Sequence, residues 1–86
     1  MVSDQPPTDL LAMAQRHVRE GEVRVARQEE IVATLRRDGH TAAARRGEAI
    51  LVQMRLALDL GRRHLAFELE KQSRHARAPD DPQREA

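Results

Sequence analysis

Apolar or small residues recur along this chain in alternating steps of three and four. Leu11, Ala14, Val18, Gly21, Val25, Val32 and Leu35 keep that spacing, with Gln28 as the one polar member. All eight fall on one face of a helix, as the seam of a coiled coil requires. Thr8 or Asp9 offers a side-chain oxygen to the first free backbone N–H groups. Glu20 and Arg24 add an outward i,i+4 pair. The pattern predicts a first helix over about 8–38.

It stops at Asp38-Gly39-His40-Thr41. Glycine just past the last periodic residue favours a left-handed C-cap, and Arg36 and Arg37 in the last turn suit the helix dipole. Thr41 then offers an N-cap for a second helix over about 41–74. So short a link folds two long helices back antiparallel, and Gly39 decides for that hairpin over a straight rod. Each helix would measure about 45 Å at 1.5 Å per residue.

The second helix repeats the seam in Ala44, Gly47, Leu51, Met54, Leu58, Gly61 and Leu65, with Ile50 and Leu69 expected to widen it. Nearly opposite on the helical wheel lies a second apolar patch of Ala49, Val52, Leu56, Leu60 and Phe67. A helix apolar on two faces needs cover on two faces, and the first helix can supply only one. The alternation Ile50, Val52, Met54, Leu56, Leu58, Leu60 would suit a strand on its own. Leu51 and Ala57 interrupt it, and the residues are good helix formers. The expected fold is therefore all-α, a two-helix antiparallel hairpin over 8–75 that dimerises into an antiparallel four-helix bundle. Residues 1–7, polar with two prolines, and 76–86, with Pro79-Asp80-Asp81-Pro82, read as disordered ends.

Composition changes this picture in one respect. With 86 residues and no cysteine, neither a disulfide nor a thiolate zinc site can staple the fold. Self-association remains, because so small a core rarely supplies more than about 3–5 kcal/mol. Fourteen Arg and one Lys balance 14 acidic residues to a net charge of +1, which gives no global field toward nucleic acid or membrane. The opening residues lack the basic start and apolar run of a signal peptide. The apolar stretch 49–60 is too short to span a bilayer and contains Arg55 and Asp59. A cytoplasmic location is expected.

The run His17-Val18-Arg19-Glu20-Gly21-Glu22, then Val25-Ala26-Arg27-Gln28, Ile31-Val32, Leu35 and Asp38-Gly39-His40, carries a resemblance. Over about residues 17 to 69 the chain resembles a group of short, uncharacterised bacterial helical-hairpin proteins. Their pattern runs H-[VI]-x-E-G-E, then A-R-Q, then D-G-H, with a second Leu-rich helix. The resemblance implies a helical hairpin and brings no catalytic residues.

Four histidines raise the question of a metal. Folding at Gly39 and His40 sets residues whose numbers sum to about 79 opposite one another, so His17 lies roughly level with His64, near Glu20 and Glu68. Metal-binding bundles use more carboxylates, in a Glu-x-x-His order absent here, so no metal or other cofactor is assigned. The tip carries Arg36, Arg37, His40, Arg45 and Arg46 against Asp38 and Glu48. Those four arginines would suit phosphate, but base stacking needs aromatics and the chain has only Phe67. Dipole capping by Arg36 and Arg37, and an i,i+3 pair of Arg45 with Glu48, absorb the same charges.

Gly21, Gly47 and Gly61 fall on seam positions, which reads as close helix approach, with a hinge for partner exchange as the alternative. Gln28 in the seam, with Glu68 at the edge of the other, can fix register in an oligomer. A nucleophile triad, a thiol–imidazole pair and a glycine-rich phosphate loop are all missing. The expected function is a non-enzymatic protein-interaction module. Its hairpin core is Leu11, Val18, Val25, Val32, Leu35, Leu51, Met54, Leu58 and Leu65, and its oligomer interface is Val52, Leu56, Leu60 and Phe67. The expected partner is a second copy in a homodimer, or else a different protein. Nucleic-acid binding through Arg36, Arg37, Arg45 and Arg46 ranks second and a metal-binding bundle third.

Overall fold

A computed structural model describes residues 9–77, and its side chains through residue 75. Two helices make up the described chain, α1 (Leu10–Arg37) and α2 (Thr41–Arg77), packed as an antiparallel hairpin with no strand among these residues. The helix α2 runs past its expected end at 74. Of the loose ends expected over 1–7 and 76–86, residues 76 and 77 belong to α2, and the others lie outside the described residues.

The turn follows from Gly39, whose φ of 80° lies in the left-handed region. That conformation lets the Gly39 N–H reach the Arg36 carbonyl at 3.1 Å and the His40 N–H reach the Leu35 carbonyl at 2.9 Å. These two bonds form a Schellman cap, which satisfies carbonyls the helix leaves over. The second helix starts at Thr41 as expected, but its N-cap is His40, whose carbonyl accepts from the Ala44 N–H at 2.9 Å. Thr41 is therefore the first helical residue and not the cap. At the other end Asp9 holds the N-cap position without a side-chain hydrogen bond. Its ψ of 49° departs from the extended geometry that brings a capping oxygen back over the first turn.

In α1 every seam residue is at least half-buried: Ala14, Val18 and Val32 are buried, and Leu11, Gly21, Val25, Gln28 and Leu35 are intermediate. In α2 Ala44, Gly47, Leu51 and Leu58 are buried, and Met54, Gly61 and Leu65 intermediate. Ile50 and Leu69 do not widen this seam. Both are exposed, because two helices leave each other's flanks open to solvent. The residue that does extend it is Glu68, seven positions after Gly61 and only 4% exposed.

Added methyl groups would reveal how closely the helices approach. A Cβ on Gly47 would stand 3.0 Å from Val32 Cγ2, and one on Gly21 3.0 Å from Leu58 Cδ1. At Gly61 the separation from Val18 Cγ2 would be an ordinary 3.8 Å. Gln28 donates from Nε2 to the Gly47 carbonyl at 3.0 Å, so its amide is engaged within the hairpin.

Candidate interaction surfaces

Assigning heptad letters from the observed seam, with Leu11 and Ala44 at position a, gives the hairpin two unlike edges. Along one, residues at position e face each other. Arg36 pairs with Glu48 at 3.1 Å, Arg55 with Glu29 at 2.8 Å and Arg62 with Glu22 at 3.2 Å. All six side chains are 42–59% exposed, so each pair is worth well under about 1 kcal/mol. Their use is in register. Sliding one helix by a heptad sets Glu29 against Glu48 in one direction and Arg36 against Arg55 in the other. The acidic and basic residues recur at seven-residue spacing in the sequence, which was the available signal; their pairing needed the turn.

The opposite edge carries residues at position g: His17, Arg24 and Ile31 from α1, and Ile50, Ala57 and His64 from α2. His17 and Ala57 line a shallow groove there with Gly21, Arg24, Met54, Leu58 and Gly61. His64 Nε2 lies 4.0 Å from Glu68 Oε2, and Lys71 Nζ 3.6 Å from Glu68 Oε1. Glu20 turns outward to Arg24 at 4.0 Å. The two histidines thus share an edge, while the two carboxylates point to separate places. Among the described residues no group of three or more His, Cys, Asp or Glu is placed to hold a metal ion.

At the tip, the Glu48 carboxylate goes to Arg36 across the turn and not to Arg45 three residues before it. The antiparallel fold brings Arg36 to the same edge as Glu48. Arg37 Nη2 donates to Thr34 Oγ1 at 3.2 Å. Arg45 and Arg46 are exposed on the outer side of α2.

That outer side carries an uncovered apolar face. Val52, Leu56, Leu60 and Phe67 are all exposed, Leu60 at 63%. Val52 and Leu56 border a shallow groove with Val25, Leu58 and the side chains of Arg55, Asp59 and Arg62. Lys71 shelters part of Phe67, its Nζ 5.6 Å from the ring centroid. No described helix is long and apolar enough to cross a membrane. No family model, curated protein or solved structure matches the chain.

Proposed function

We propose that this chain is a non-enzymatic protein-interaction module, a helical hairpin that works as a homo-oligomer through the outer face of α2. One observation carries the reading. Val52, Leu56, Leu60 and Phe67 lie on a face that α1 does not cover, and each is about half exposed or more. Full burial of such a side chain is worth about 1.5–3 kcal/mol, so covering the exposed half gains about 1 kcal/mol each. Two copies present the face twice, so self-association doubles that gain. A two-fold axis lets one patch serve on both sides, and two hairpins then make an antiparallel four-helix assembly.

The chain is expected to be a dimer at micromolar concentration, with a melting temperature that rises with protein concentration. Leu56→Glu with Leu60→Glu should abolish that dependence, giving monomers or unfolded chain. Val23→Glu, on the outer face of α1, should leave it intact. Light scattering showing that the doubly substituted chain associates as the parent does would refute the reading. A parent chain that is a stable monomer with concentration-independent melting would remove the homo-oligomer and leave the face to a different protein.

A further inference from the structure

The outer face of α2 carries a second seam. Arg46, Ala49, Gln53, Leu56, Leu60, Arg63, Phe67 and Glu70 follow one another in strict steps of three and four. All eight are exposed. They occupy heptad positions c and f, nearly opposite the seam that packs on α1. This second series is complementary to its own reverse about residue 58. Leu56 answers Leu60, Gln53 answers Arg63, small Ala49 answers large Phe67, and cationic Arg46 answers anionic Glu70.

We infer that the partner of this face is a second copy of the same chain, laid antiparallel so that α2 packs on α2 with the two-fold axis at the level of residue 58. The inference rests on the interaction reading above and specifies its occupant and geometry. Antiparallel helices match the two kinds of seam position with each other, as α1 and α2 already do within the hairpin. In this register Leu56 meets the partner's Leu60, and two copies of that contact form a central cluster of four leucines. Phe67 fills the space beside the partner's Ala49. The Arg63 guanidinium meets the partner's Gln53, whose amide oxygen can accept from it. At each end Arg46 meets the partner's Glu70, an attraction made twice by symmetry. The flanks set Ala57 beside the partner's His64, while Asp59, one residue from the axis, lies nearest its own copy, the like-charge contact of this register.

Neighbouring registers are worse. A slip of one heptad in one direction brings Arg46 against the partner's Arg63. A slip in the other places Leu60 against the partner's Arg63 and Gln53 against the partner's Glu70. A parallel arrangement opposes like with like, Arg46 to Arg46 and Glu70 to Glu70. Charge thus disfavours the parallel arrangement and the first slip, and loss of the central four-leucine cluster disfavours the second. Because this seam lies nearly opposite the first, the four helices form a row, with α2 of each chain inside and α1 outside.

The absence of native cysteine permits a clean test. Full-length Gln53→Cys and Arg63→Cys chains are unfolded together, refolded as a mixture and treated with a short bis-maleimide. The mixture should yield covalent dimers containing one chain of each kind. Each chain alone should yield little, because residue 53 stands about ten residues, or roughly 15 Å, from its own copy along the axis. Separately, Arg46→Glu should raise the dimer Kd about tenfold through its two symmetric contacts, and adding Glu70→Arg should restore it. Efficient cross-linking of either single species, or no rescue by the charge exchange, overturns this geometry. If Leu56→Glu with Leu60→Glu still dissociates the dimer, the interaction reading survives that failure. A monomeric parent chain overturns the second copy as occupant.

Discussion

Four glycines in one small hairpin predict four different outcomes for the same substitution to alanine. In a helix interior the change gains about 1 kcal/mol from backbone entropy and propensity. At Gly61 the new Cβ would meet Val18 Cγ2 at 3.8 Å, an ordinary contact, so the whole gain should appear. That corresponds to a rise in Tm of about 4–8 °C for a domain of this size. At Gly47 it would meet Val32 Cγ2 at 3.0 Å and Gln28 Nε2 at 3.4 Å. Val32 is 3% exposed and held by its β-branch to one dominant rotamer, so it has nowhere to go. Overpacking costs about 1–3 kcal/mol, which turns the gain into a net loss of up to about 2 kcal/mol. Gly21 should fall between, since its neighbour at 3.0 Å is the far end of the Leu58 side chain, which can rotate aside. Gly39→Ala meets no atom within 4 Å but must hold φ near +80°, at about 1–2 kcal/mol. Urea and thermal melts of the four variants at one fixed protein concentration measure the series. Gly47→Ala equal to or more stable than Gly61→Ala would refute the close approach at that crossing, and with it the assignment of Gly47 to packing.

The tip should not bind nucleic acid. Fluorescence titration with single-stranded or duplex RNA at physiological salt is expected to show no binding, because Arg36 is engaged by Glu48 and no aromatic is near. Tight, salt-sensitive binding lost on changing Arg36, Arg37, Arg45 and Arg46 to Gln would reverse that conclusion. Zinc, iron(II) or nickel should leave the Tm unchanged, since a ligand of the folded state alone must raise it. An upward shift that needs both His17 and His64 would restore the metal reading.

The heptad spacing alone determined the all-helical architecture and most of the seam, because periodicity is a local property of each helix. Gly39 likewise marked the turn, since only a residue without a Cβ takes its left-handed conformation cheaply. The exact caps were less legible. Which carbonyl opens α2 depends on the path the chain takes out of the Schellman turn, and that path gave the role to His40 instead of Thr41. Ile50 and Leu69 look like core by composition, yet two helices enclose only a narrow strip, so both remain outside it while Glu68 lies within. Pairing across the hairpin was the part that only the tertiary structure decided. Glu48 has Arg45 near in sequence and Arg36 near in space. Glu22, Glu29, Arg55 and Arg62 are scattered charges until the fold sets α1 against α2 in one register. Spacing along a chain defines the face a residue occupies, whereas the residue opposite it follows from where the turn is and how closely Gly21 and Gly47 let the two helices approach.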